Sequence, residues 1–374
     1  MLELLKAANP SEHGISKVIV WGSRATLDLL ENRDWLIKEN PSALEKGLMH
    51  RSLWQLCSLP GQVRKAKCDL LFIPGGSYAG DYHPVVTMSR NLLPFEWREM
   101  RHYGWSWITI KMGVLRQTQS RSFRNADGVI FLTQYAKDVV QGITGRLSNT
   151  TIIPHGINPR FGQLPRVQQP IDAYSHQTPL RILYVSIIDV YKHQWKVVEG
   201  VAKLRQKTGW PLALELVGPS YPPALSRLQS SMKRFDPEGR WVHYYGPIPF
   251  EQLHTVYGRA DIGLFASSCE NMPNILLETM AAGLPIACSN RGPMPEVLGD
   301  AGVYFDPEVP VEIAGVLESL VGSPKLRTDL AHTAFSAAAK FTWQRCADQT
   351  FAFLANVHQK FLVGKKIGEV SAGF

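Results

Sequence analysis

Short apolar runs rich in β-branched residues recur along the chain, each followed by a longer stretch with apolar positions at helical spacing. A strand covered on both faces of a parallel sheet reads as a near-continuous apolar run, and the amphipathic stretch after it supplies the cover. The pattern predicts strands over Lys17–Trp21, Asp69–Pro74, Val85–Met88, Gly128–Leu132 and Thr151–Pro154. After a break it predicts Arg181–Ser186, Ala213–Val217, Trp241–Tyr245, Ile262–Ala266, Pro285–Ser289 and a short Val303–Phe305. The break, Asn158–Thr178, contains Pro159, Pro165 and Pro170 and has neither period, so it reads as a linker. The expected fold class is α/β, with two doubly wound Rossmann-like domains, 1–165 and 166–345. Such domains in tandem face each other across a cleft at the carboxyl ends of their strands, where open α/β sheets bind ligands. Val363–Phe374 has no clear period and is expected to be a frayed tail.

Composition narrows the class. Of 374 residues, 45% are hydrophobic and 19% charged, which excludes a disordered chain, a collagen or a small disulfide scaffold. No run approaches the ~18 apolar residues of a spanning helix, and Met1–Pro10 lacks the basic-then-apolar order of a signal peptide. The five cysteines, Cys57, Cys68, Cys269, Cys288 and Cys346, are odd in number and widely spaced, as in a reducing cytoplasm, and are expected to be small buried hydrophobes. The net charge is +8, of which residues 1–165 carry +7 (20 Lys and Arg against 13 Asp and Glu). Phosphate-bearing ligands, nucleic acid and an anionic membrane are all compatible with that half.

The most informative stretch is Asp261–Val297. A buried strand ends at Ser267-Ser268, a turn carries Glu270 and Asn271, and a helix is expected from near Pro273 to Gly283. The backbone N–H groups of Asn274 and Ile275, at the positive end of the helix dipole, suit a diphosphate. Glu270 and Glu278 cannot face each other as a glycosidase pair, but each can accept hydrogen bonds from a different part of one extended ligand. By itself the spacing favours a plainer reading, a solvated helix residue at Glu278 and a helix-start carboxylate near the dipole at Glu270.

The residues around the two glutamates resemble the family 4 glycosyltransferases, retaining enzymes of the GT-B fold. The E-x7-E motif stands as ENMPNILLE over Glu270–Glu278, followed by MAAGLP at Met280–Pro285 and PEV at Pro295–Val297. IPHGI at Ile153–Ile157, ADGVI at Ala126–Ile130 with Thr133, LVG at Leu216–Gly218, Tyr245-Gly246 and Ala260-Asp261 fall in the family's order. The resemblance implies an acceptor-side N-terminal domain, a nucleotide-sugar domain, and a C-terminal helix over 346–374 that packs back toward the N-terminal domain. It implies that Glu270 sits beside the donor hexose, that Glu278 holds the ribose hydroxyls, and that Asn274 and Ile275 hold the diphosphate; Asn271, Met272 and Gly218 join the donor-binding set. Where the family has Gly-Arg and then Lys-Gly, this chain has Ser186, Ile187, Lys192 and His193, so Lys192 is the expected phosphate cation and Ile187 replaces the arginine. Where many members carry a His near the donor sugar, Arg90 and Asn91 stand here, and His155 follows a strand end. Met1–Lys6 resembles the end of the family's first helix, so the family's first strand and Gly-rich loop are expected to be missing: either the chain starts late, or Gly75-Gly76 with Ser77 supplies a substitute loop.

Cleavage at the anomeric carbon develops negative charge on the leaving diphosphate, which the helix N-terminus and Lys192 would stabilise. The chain has no D-x-D motif, and neither a metal nor a cofactor is expected; the donor, a UDP or GDP sugar, is a substrate. Arg90–Arg124 mixes seven basic residues with Phe95, Trp97, Tyr103, Trp105 and Trp107. It fits an anionic membrane surface or an ordinary packed helix pair better than nucleic acid. The leading expectation is hexosyl transfer to a glycan or lipid-linked acceptor by a peripheral enzyme. An inactive carbohydrate-binding or scaffold relative and a nucleotide-sugar 2-epimerase are the alternatives.

Overall fold

The computed structural model describes residues 1–371, with side chains described to Lys365. The chain divides into two units: residues 1–95, 106–156 and 342 onward form unit 1, and residues 96–105 with 157–341 form unit 2.

Unit 2 is built on a six-stranded parallel sheet of β7 (Leu180–Val185), β8 (Leu212–Val217), β9 (Val242–Tyr244), β10 (Ile262–Phe265), β11 (Ile286–Ser289) and β12 (Val303–Phe305). The strand order is β12-β11-β10-β7-β8-β9, with Leu180 opposite Leu212 and Ile182 opposite Ile262. Chain order reverses between β7 and β10, so a topological switch point lies between them. The apolar runs are what bury the sheet: Ile182, Leu214, Leu216, Ile262 and Ile286 have no exposed surface. The Gln194–Thr208 helix covers one face through Val197, Val198, Val201 and Leu204, and Gly209, at φ +70°, ends it.

The linker is tied down on this unit. Arg327, fully buried, donates to the carbonyls of Leu320 and Val321 at 2.7 and 2.6 Å, to the Gln168 side chain at 3.1 Å and to the Gln169 carbonyl. The N–H of Ile157 donates to Phe341 and that of Gln163 to Ala281. These bonds move the boundary from the expected 165 to between Gly156 and Ile157.

Unit 1 holds a four-stranded parallel sheet, β3-β4-β5-β6, of β3 (Leu71–Ile73), β4 (Val85–Met88), β5 (Gly128–Phe131) and β6 (Thr150–Ile152). A separate parallel pair joins β1 (Val18–Trp21) to β2 (Leu36–Glu39), a strand the sequence pattern did not mark. The C-terminal helix, Trp343–Ser371, belongs to unit 1, where Phe351, Leu354 and Val357 are buried. The expected tail from Val363 is helical to Ser371, continuing the packed turns before it; residues 372–374 lie outside the described residues. Among the described residues no helix is long and apolar enough to cross a membrane. All five cysteines are free of disulfides; Cys269, Cys288 and Cys346 are buried, whereas Cys68 is half-buried and Cys57 is exposed.

Candidate active site

The two strands that flank the switch point each deliver one charged group. After β7 the chain runs through Ser186 into a helical turn, Val190–Lys192, and after β10 through Ser267 and Ser268 to Glu270. Lys192 and Glu270 form an ion pair in which the side chains are only 5% and 17% exposed. The Lys192 ammonium also lies over the rings of Tyr191 and Phe265, 5.0 and 5.4 Å from their centroids. A buried ammonium requires an opposite charge and a polarisable wall, and Lys192 has both. Its ammonium is therefore held inside the protein and not in the surrounding water. The Ser268 N–H donates to the Tyr191 carbonyl at 2.9 Å and holds the two loops together.

Asn271 and Met272 are buried in the turn that follows Glu270. The helix spans Asn274–Ala281 with Pro273 as its N-cap residue rather than its first residue. The Asn274 N–H, expected to face an anion, donates to the Met272 carbonyl at 2.9 Å in this arrangement. Ile275 follows in the first turn, half-buried. Glu278 is partly buried and accepts a hydrogen bond from the Tyr257 hydroxyl at 3.1 Å; burial raises its carboxyl to about 7. Gly218, at the end of β8, has φ +144°, and a Cβ there would lie 2.1 Å from the Ser186 carbonyl oxygen. Only glycine lets the two strand ends approach so closely.

Residues 171–336 match the family model described as glycosyl transferases group 1. The chain is 35% identical over 111 residues to the O-antigen chain mannosyltransferase B of Escherichia coli, a match covering 29% of each protein. It is 35% identical over 111 residues to a D-inositol 3-phosphate glycosyltransferase of Corynebacterium jeikeium, covering 29% of this chain and 26% of that protein. The chain thus spans less than a third of the length of these curated relatives. The sucrose-phosphate synthase of Thermosynechococcus elongatus superposes over 96% of this chain and 92% of its own, with a TM-score of 0.71 and 15% identity. Anabaena Alr3699/HepE in complex with UDP and glucose superposes over 95% and 96%, with a TM-score of 0.67 and 16% identity. The chain has the GT-B fold.

In GT-B terms, Lys192, Gly218, Glu270, Asn271, Met272, Asn274, Ile275, Glu278 and Ser186 all belong to the second Rossmann-like unit. The other candidates lie in the first. Arg90 and Asn91 are exposed, and the Asn91 side chain accepts from the Leu93 N–H at 3.2 Å, shaping its own turn. His155 packs its ring against Trp343, with centroids 5.4 Å apart. Gly75 is exposed, whereas Gly76 is buried beside the Met88 carbonyl.

Sequence reasoning missed a buried polar group next to the ion pair. Ser268 Oγ lies 2.5 Å from Glu99 Oε2 and 2.9 Å from His193 Nε2, and Tyr103 donates to Asp189 at 2.8 Å. His193 and Ser268 stand next to recognised positions, and that adjacency is the signal available. Glu99 is 169 residues from Ser268, and nothing local marks it.

Proposed function

We propose that this protein is a retaining glycosyltransferase that moves a hexose from a nucleotide diphosphate sugar to a glycan or lipid-linked acceptor, without a metal. The observation that carries the reading is the buried Lys192–Glu270 pair at the switch point between β7 and β10. In the reaction the bond from the anomeric carbon to the phosphate oxygen breaks with its electron pair on the diphosphate, an acceptor hydroxyl oxygen forms the new bond, and the hydroxyl proton passes to the departing diphosphate. Lys192 and the first turn of the Asn274–Ala281 helix would stabilise the charge that develops on the diphosphate, and Glu270 the positive anomeric centre. Glu278 would take the ribose hydroxyls. The group 1 match over 171–336 and the names of the relatives support glycosyl transfer, and the relative named an O-antigen chain mannosyltransferase supports a polysaccharide-type acceptor.

The test is a screen of UDP-, GDP- and ADP-sugars by thermal shift, followed by Glu270→Ala and Glu270→Gln with the donor that stabilises the protein. Both variants should lose transfer and slow donor hydrolysis by at least about 100-fold while keeping nucleotide-sugar binding. Near-normal turnover would remove Glu270 from the mechanism, and hydrolysis of no donor by the unaltered protein would favour a binding or scaffold role.

The proposal includes peripheral attachment to the inner face of an anionic membrane. On the Trp107–Asn125 helix, Trp107, Ile110 and Val114 are 77, 60 and 59% exposed and share an i, i+3, i+7 face with exposed Lys111. Vesicles of phosphatidylglycerol should co-sediment the protein at low salt, and Trp107→Ser with Ile110→Ser should abolish it; equal recovery with neutral vesicles would refute an anionic surface.

A further inference from the structure

Residues 96–105 pack with unit 2, although the residues on both sides of them in sequence belong to unit 1. Three side chains anchor this segment. Arg98 bonds Glu308 at 2.6 Å, Tyr103 donates to Asp189 at 2.8 Å, and Glu99, 4% exposed, reaches Ser268. The Ser268 hydroxyl lies 2.5 Å from Glu99, 2.9 Å from His193 Nε2 and 3.2 Å from the Tyr191 carbonyl. One hydroxyl has a single proton and two lone pairs, so when Ser268 donates to Glu99, His193 Nε2–H donates to Ser268. The link thus has a direction, from histidine through serine to carboxylate. Burial holds His193 neutral, with its ionisation lowered to about 3, and a neutral ring with the proton on Nε2 is the donor this link needs.

Two members of the link, Ser268 and His193, adjoin the ion pair along the chain. Ser268 is two residues before Glu270, and His193 is adjacent to Lys192. His193 occupies φ +53°, a left-handed conformation that glycine adopts freely and histidine does not. The side chain stands there against the backbone's preference, and its ring reaches Ser268.

We propose that Glu99 and His193 are positioning residues that fix the Lys192–Glu270 pair through Ser268, so that docking of the 96–105 segment sets the geometry of the pair. The proposal rests on the reading of Glu270 as the residue beside the donor hexose. Loss of either end frees the turn that carries Glu270 or the turn that carries Lys192, and a displacement of about 1 Å at a reacting centre costs about 100-fold in rate.

The test uses the full chain with Glu99→Ala, Glu99→Gln, His193→Gly and the double variant Glu99→Ala/His193→Gly. Glu99→Ala and His193→Gly should each lower kcat about 10- to 100-fold with the donor KM within about threefold, and the double variant should be no slower than the worse single one. Glu99→Gln, whose amide oxygen still accepts from Ser268, should retain most of the rate. His193→Gly should keep its Tm, because glycine suits that backbone, so slow turnover in it is not misfolding. A second readout needs no substrate: acylation of the Lys192 amine, followed by peptide mass spectrometry, should be at least about fivefold faster in Glu99→Ala and unchanged in Glu99→Gln. If the unaltered protein turns over no nucleotide sugar but the labelling contrast holds, the positioning link stands and the transfer reading falls. Unchanged Lys192 labelling in folded Glu99→Ala and His193→Gly, or additive losses in the double variant, would overturn the link.

Discussion

Glu278 shows how one residue ties the Asn274–Ala281 helix to pH. Burial, opposed by the Tyr257 hydroxyl, raises its carboxyl from 4.5 to about 7. Between those values the folded protein holds a proton that the unfolded chain has released. The stabilisation is therefore fully present below about 4.5 and is lost as pH rises through about 7. Glu278→Gln removes the titration. Relative to the unaltered protein, the variant should gain on the order of 2–3 kcal/mol on going from pH 4.5 to pH 8, measured by urea unfolding at each pH; parallel profiles would exclude the effect. Residues of this kind were legible because the motif is local: Glu270, Glu278 and the turn between them lie within one strand-turn-helix passage. The partners were not. Tyr257 and Glu99 reach Glu278 and Ser268 from 21 and 169 residues away, and no spacing rule connects them.

At the scale of elements, the strands were legible because parallel strands must be apolar on both faces. The expected runs all appear as strands, with ends shifted by a residue or two. The exception, Leu36–Glu39, pairs two apolar residues with Lys38 and Glu39 and is half exposed, so burial left no mark on its sequence. Gly218 closes the LVG motif, and the structure supplies its reason: the approach of its Cα to the Ser186 carbonyl brings the ends of β7 and β8 together next to the switch point. The basic-aromatic stretch of 90–124, one feature by composition, divides into two in the structure. Its 96–105 part takes Arg98 and Glu99 into ion-pair and hydrogen-bond contacts in unit 2. Its Trp107–Asn125 part is a unit 1 helix whose last basic residue, Arg124, donates to the Thr144 and Ile143 carbonyls. Composition counted these charges together, but their partners separate them.

At the scale of the whole molecule, chain order and structural membership differ, because the helix that follows unit 2 in sequence belongs to unit 1. Its packing is close: a Cβ on Gly128, the first residue of β5, would lie 2.8 Å from Val357 Cγ2 and 3.0 Å from Phe353 Cε1. Phe351, Leu354 and Val357 are each at least nine-tenths buried there. Burial of three such side chains contributes roughly 5–9 kcal/mol, comparable to the ~5–15 kcal/mol net stability of a whole domain. The sheet of unit 2 is covered by residues of that unit, such as Val197, Leu317 and Leu320. A chain ending at Phe341 should therefore lose unit 1 and keep unit 2. In hydrogen exchange, β3, β4, β5 and β6 should lose protection, whereas β7, β8 and β10 should retain it. Gly128→Val, which keeps the helix but wedges it off β5, should produce the same selective loss in milder form. Protection that persists in β4 and β5 of the truncated chain would mean that the four-stranded sheet is stable without its C-terminal cover, and uniform loss across both sheets would mean that the two units unfold as one.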